Sequence, residues 1–205
     1  MREMSEEPAG LRGPAEHRVR DQIVEAANEH FRHYGYAKTT LADLAREIGF
    51  SKAYIYRFFE SKQAIGEVIC ARALDSITQE IEPAVEQGQS ASDKIRRLFR
   101  TTVDMSSKLF FEERKLYDIS AASFAEGWRS SQAFSLDLQK RLATIIVEGR
   151  VNGEFERKTP LDEVCDAILL SLQPFIDPRI LQHNLSSVPD GLDAVIRLVL
   201  RSLAV

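Results

Sequence analysis

Cysteine is scarce in this chain of 205 residues. Cys70 and Cys165 stand alone, with no CxxC and no histidine at ligand spacing, which argues against a disulfide framework or a zinc site and suits two buried, reduced thiols. Glycine and proline are also few, ten and seven, and they fall mostly between periodic segments, so neither a collagen-like nor a disordered chain fits. No segment reaches the roughly 18 consecutive apolar residues that a membrane span needs. The first sixteen residues mix Arg2, Glu3, Glu6, Glu7, Pro8, Gly10, Gly13 and Pro14 without an apolar stretch, so they read as a flexible arm rather than a signal peptide or anchor. A cytoplasmic protein with no membrane partner is the expectation. G-x-S-x-G, a phosphate loop, HExxH and a distinct pair of carboxylates are all missing, so no enzyme activity, catalytic residue, cofactor or metal is expected.

What remains is ordinary globular material, 44% hydrophobic and 28% charged, enough for one large domain or two small ones. The net charge of −4 argues against a wholly basic nucleic-acid coat, yet residues 17–66 carry eight Lys or Arg against six acids. Apolar residues recur at helical spacing with no sustained alternation of period two, so the chain is read as all-α. Ile23, Val24, Ala27, Phe31 and Tyr34 mark one face of a first helix that Gly35 can end. Leu41, Leu44, Ala45 and Ile48 mark a second, with Thr40 and Asp43 resembling a capping box and Gly49 as the stop. Ser51 caps a short third helix whose Ile55, Phe58 and Phe59 turn inward, and Ser61 opens a fourth that Pro83 is expected to interrupt. Further helices are expected from Ser90, over 111–126 and 131–151, from Pro160 to about Leu172, and from about Asp190.

Two helices joined by "GFS" have the form of a helix-turn-helix, whose second helix enters the major groove of DNA. The stretch "FRHYGYAKTTLADLAREIGFSKAYIYRFFESKQAI", residues 31–65, resembles the DNA-binding domain of the tetracycline-repressor (TetR) family. Phe31 and Gly35, Thr39 and Thr40, "LAREIGFS", Tyr56 with Phe59, and Ser61 with Lys62 carry that resemblance in order. It covers about the first third of the chain and implies three units: an arm over 1–16, a helix-turn-helix DNA-binding domain over 17–66, and a larger helical domain for ligand binding and dimerisation over 67–205. Double-stranded DNA is then the partner. Thr40 is expected to meet a phosphate at a helix N-terminus, or simply to cap. Ser51, Lys52, Ala53 and Tyr54 are expected near base edges, Tyr56 at a phosphate, and Arg57 and Lys62 on the backbone. Arg12, Arg18 and Arg20 are candidates for a minor-groove contact. His17, His30 and His33 show no metal spacing and are read as exposed or capping.

The resemblance further implies a homodimer on a near-palindromic operator and a small-molecule effector that releases it. The helices after Pro160 and Asp190 are apolar around most of their circumference, which also calls for cover from a second subunit. Val164, Ile168, Leu172, Val195, Leu198 and Val199 are the expected interface. Phe99, Val103, Met105, Phe110, Tyr117, Phe124, Trp128 and Phe134 are the candidate lining for an apolar or aromatic effector, with plain core packing as the competing role. Glu112, Glu113, Arg114 and Asp118 are candidates to orient a polar group. The sequence leaves open a DNA binder of the same fold without an effector, or one answering to a partner protein.

Overall fold

The computed structural model describes residues 14–205, which form ten α-helices, a short 3-10 turn and no strand beyond one isolated bridge between Phe155 and Ala204. Most of the expected arm, Arg12 included, lies outside the described residues, and its last three residues belong to α1 (Pro14–Tyr34). The stripe of Ile23, Val24, Ala27 and Phe31 on α1 is fully buried. Tyr34 departs from the expected face: it is 61% exposed and stacks on His30, one turn back.

Helix α2 (Leu41–Ile48) begins where the Thr40 hydroxyl accepts from the Asp43 N–H at 3.2 Å while the Asp43 carboxylate accepts from the Thr40 N–H at 3.0 Å. Each side chain satisfies a backbone donor that the helix leaves orphaned. Gly49, at φ 76°, ends it in the left-handed region that costs glycine nothing. Helix α3 (Lys52–Tyr56) follows after three residues, its N-terminus capped by Ser51 accepting from the Tyr54 N–H at 3.1 Å. Helix α3 packs on α2, and Ile55 and Phe59 join Leu41, Leu44 and Ala45 and the buried face of α1 in one core.

Helix α4 (Lys62–Glu86) runs unbroken through Pro83. The proline lies within the last turn, where it removes one backbone bond, and the buried Ile77 and Ile81 hold the helix on its path. The expected division at 66/67 therefore falls inside a single helix shared by head and core. Helices α5 (Ala91–Glu112), α6 (Arg114–Glu126) and α7 (Arg129–Val151) pack against α4, and α8 (Leu161–Ile176), α9 (Pro178–Asn184) and α10 (Asp190–Leu203) pack on those helices and on one another. Two of them are capped from a distance. Glu67 of α4 accepts from the Arg129 and Ser130 N–H groups at 3.0 Å each, and Glu154 accepts from the Ala91 and Ser92 N–H groups at 2.9 and 3.2 Å. A carboxylate there also faces the positive end of the helix dipole.

Val164, Ile168, Leu172 and Val199, expected at a subunit interface, are turned instead into the protomer's own core, at 7, 4, 0 and 6% exposure. Helix α8 has already spent that stripe on α5, α7 and α10. The apolar residues left outside are Leu170, Leu198 and, in part, Val195.

Candidate nucleic-acid interface and core cavity

The outward surface of the second helix-turn-helix helix comprises Ser51, Lys52, Ala53, Tyr56 and Arg57, all exposed, with Ile55 fully buried beneath them. The spacing explains the split: in a helix only positions three or four apart share a face, so Ile55 and Phe59 point to the core together. Lys52 Nζ lies 5.8 Å from the Tyr56 ring centroid, and the Arg57 guanidinium lies 5.5 Å from that of Tyr54. Both cations thus rest on aromatic faces at the open edge of the head. Tyr54 is half-buried in an edge-to-face stack between Phe50 and Phe58, with centroids 5.0 and 5.3 Å apart, which leaves Tyr56 as the freer of the two rings.

Two expected contacts sit differently. The Thr40 hydroxyl is engaged in its capping box and also donates to the Asp43 carboxylate at 2.7 Å, which puts an acid where a phosphate was anticipated. Lys62 turns inward: its ammonium donates to the Tyr36 carbonyl at 2.8 Å and lies 4.2 Å from the Tyr36 ring centroid. Burial pulls the Lys62 pKa down, partly opposed by Glu126. Burial likewise pushes the Tyr36 phenol up to about 12, with Glu126 and Glu67 adding to it.

Lys62 and Tyr36 belong to a junction between head and core. Tyr36 meets Trp128 edge-on at 5.3 Å, Trp128 Nε1 donates to Glu126 at 2.8 Å, and a Cβ on Gly66 of α4 would lie 2.9 to 3.1 Å from both rings. Arg32 of α1 pairs with Glu113 beside it. Glu113 and Arg114, anticipated near a ligand, are thus used elsewhere, Arg114 bonding Asp118 at 2.9 Å.

The residues anticipated around a ligand divide into three groups. Phe99 and Val103 are buried core of α5, and Trp128 is the wedge just described. Phe110 stacks on Tyr117 at 5.0 Å, Met105 packs on the core, and the Tyr117 hydroxyl donates to the Pro178 carbonyl at 2.6 Å, its pKa pushed to about 12 chiefly by burial. Phe124 and Phe134, 6.4 Å apart, line a cavity of about 720 Å³ between α6, α7, α8 and the start of α9. Its remaining wall was not foreseen: Leu138 and Gln139 of α7 and Asp166, Leu169, Gln173 and Ile176 of α8 are not aromatic and gave no such signal. No group of metal-ligating side chains and no helix able to cross a membrane occurs among the described residues.

Residues 23–68 match the family model for bacterial regulatory proteins of the tetR family, and residues 91–195 match that for the tetracyclin repressor-like C-terminal domain. The chain belongs to the TetR family. It is a helix-turn-helix DNA-binding transcriptional regulator, in a family of regulators rather than enzymes. It is similar to the HTH-type transcriptional regulator YhgD of Bacillus subtilis (strain 168), 28% identical over 100 residues, 46% of this chain and 52% of that protein, so the match spans only about half of that relative. BetI of Agrobacterium fabrum (strain C58 / ATCC 33970), also an HTH-type transcriptional regulator, is 25% identical over 183 residues, 88% of this chain and 84% of its own. Among solved structures, the fatty acid degradation regulator FadR from Bacillus halodurans shares the TetR fold with a TM-score of 0.66 at 17% identity, over 93% of this chain and 97% of that one.

Proposed function

We propose that this TetR-family chain is a repressor that binds a near-palindromic operator as a homodimer and leaves it when a small, largely apolar effector enters the core. The observation that carries the DNA-reading part is α3, which offers Ser51, Lys52, Ala53, Tyr56 and Arg57 outward on a buried Ile55. Two such helices, one per subunit, address successive major grooves roughly 34–36 Å apart. Lys52 and Ala53 read base edges, Tyr56 and Arg57 hold the phosphate backbone, and Tyr54 supports them from its aromatic stack.

Release follows from the junction. Gly127 lines the cavity, and its neighbour Trp128 is wedged against Gly66 of α4 and Tyr36 of the head. An effector that displaces the link between α6 and α7 moves Trp128 and, through it, the first turns of α4. It acts only to the extent that it binds the released arrangement more tightly than the DNA-bound one. Residues 17–66 serve as the reading head and 67–205 as the sensing and pairing unit.

The test is selection of bound duplexes from a random pool. A near-palindrome with half-sites about one helical turn apart is expected, and recovery of unrelated sequences would overturn the reading. On that operator, Lys52→Ala relaxes base preference, whereas Arg57→Ala weakens all duplexes alike and lowers the salt slope by about one.

A further inference from the structure

Arg32, Arg46 and Lys62 of the head are satisfied within the protein, by Glu113, by the Asp43 carboxylate at 2.7 Å and by the Tyr36 carbonyl at 2.8 Å. Arg18, Arg20, Lys38, Lys52 and Arg57 pair with no acid among the described residues. All of these except Arg20 are exposed, as solvated cations usually are. Arg20 is partly buried, and its guanidinium lies 4.6 Å from the Phe59 ring centroid.

That position follows from spacing. Ile23 and Val24 lie three and four residues after Arg20, so the arginine stands at the edge of the buried stripe of α1, over the ring that closes the turn after α3. Phe59 is 3% exposed and its N–H donates to the Ile55 carbonyl at 3.0 Å, which fixes the ring and with it the guanidinium. Asp21, next in sequence, turns to Arg72 at 3.4 Å, and neither Glu16 nor Glu60 pairs with Arg20 among the described residues. One face of the guanidinium is thus desolvated on the ring while the N–H donors along its edge find no partner among the described side chains. A partly desolvated cation without an acid costs the folded protein free energy that an anion from outside would offset.

The neighbourhood identifies that anion. Helix α3 begins at Lys52 and is capped by Arg57, and Arg20 stands, through Phe59, at the Arg57 end. A helix seated in a major groove about 12 Å wide has a sugar–phosphate strand on either side. The strand passing the end of α3 was expected to meet Lys62, whose ammonium is instead turned to Tyr36. Resting on the reading of α3 above, we propose that Arg20 supplies that cation: held on Phe59, it binds a backbone phosphate at the flank of each half-site. The contact adds affinity and register without base preference. It replaces the minor-groove reach anticipated for this arginine.

The experiment uses the full chain and the operator recovered by the selection above, or a mixed-sequence duplex if none is recovered, since a phosphate contact needs no particular bases. Anisotropy of a labelled duplex reads binding between about 0.1 and 1 M salt, and circular dichroism melts verify that each variant is folded. Arg20→Gln should lower the salt slope by about one per reading head, which is about eight-fold in affinity per head at about 0.1 M salt and nothing near 1 M. Arg20→Lys, which keeps the charge, should keep the slope, and Lys62→Gln should leave it unchanged. In the wild type, one neutral methylphosphonate at the flank of each operator half-site should weaken binding, and Arg20→Gln should be indifferent to the same replacement. A salt-independent loss in Arg20→Gln, a slope lost equally in Arg20→Lys, or a slope lowered by Lys62→Gln in its stead overturns the proposal. A wild type insensitive to every flanking methylphosphonate does so without any variant. If Arg57→Ala lowers the slope and Arg20→Gln does not, this contact falls and the reading of α3 stands; if neither does, both fall.

Discussion

Gly66 shows how tightly head and core are joined. An added Cβ there would stand 2.9 Å from Tyr36 and 3.0 Å from Trp128, closer than a methyl group tolerates without a shift in both rings. Gly66→Ala should therefore destabilise the protein by about 1–3 kcal/mol, seen as a lower unfolding temperature, and should move the emission of Trp128, the chain's single tryptophan, to longer wavelength. Unchanged emission would mean that the rings do not meet the glycine. Gly149 is a second case. The Phe155 ring lies 2.2 Å from where its Cβ would sit, so Gly149→Ala should be costlier than Gly66→Ala and is measured in the same melts. Nothing in the sequence separates these two glycines from the turn glycines, because their requirement comes from a distant ring and not from their own backbone. Lys62 carries the same lesson: a lysine after a helix cap looks like a phosphate ligand until its ammonium is seen on the Tyr36 carbonyl.

Among the elements, α2 and α3 were legible down to their caps, since Thr40, Gly49 and Ser51 act through neighbours three or four positions away. Their reciprocal bonds hold the Asp43 carboxyl below its usual 3.8, the Thr40 hydroxyl and N–H being the chief cause. A depressed acid contributes stability above its unfolded pKa and loses it as pH falls through the folded one. The difference in unfolding temperature between the wild type and Asp43→Ala should accordingly be constant from pH 5 upward and shrink below pH 3.8. A difference undiminished on going from pH 5 to pH 2 would place the effect elsewhere. The caps supplied by Glu67 and Glu154 were not legible, because a carboxylate that caps a helix some sixty residues away has no local signature. Pro83 misled for a related reason: local chemistry signals a break, and the packing of Ile77 and Ile81 overrides it.

Across the molecule, helical periodicity revealed the all-α architecture, while four apolar positions were assigned to the wrong cover. Val164, Ile168, Leu172 and Val199 are core because α5, α7 and α9 pack on α8, and α5 and α8 on α10, before any second subunit does, and a sequence stripe does not say which neighbour will cover it. Leu198 and Leu170, 67 and 68% exposed, are what a partner copy would cover. Leu198→Glu should leave the protomer folded, turn the proposed dimer into a monomer in light scattering, and weaken operator binding by orders of magnitude, since each half-site alone supplies only part of the affinity. A monomeric wild type would refute the pairing. The cavity was half legible: aromatic residues flagged Phe124 and Phe134, but the opposite wall is built from glutamines and leucines of ordinary helix surface.

Helix α4 is one uninterrupted rod from Lys62 to Glu86. At 1.5 Å per residue it is roughly 37 Å long, so tilting it by about 5° about its far end swings the near end through an arc of about 3 Å. That sweep rivals the roughly 3.4 Å step between stacked bases along a strand. On the release mechanism proposed above, a nudge deep among buried side chains would thereby be magnified into loss of register on the duplex.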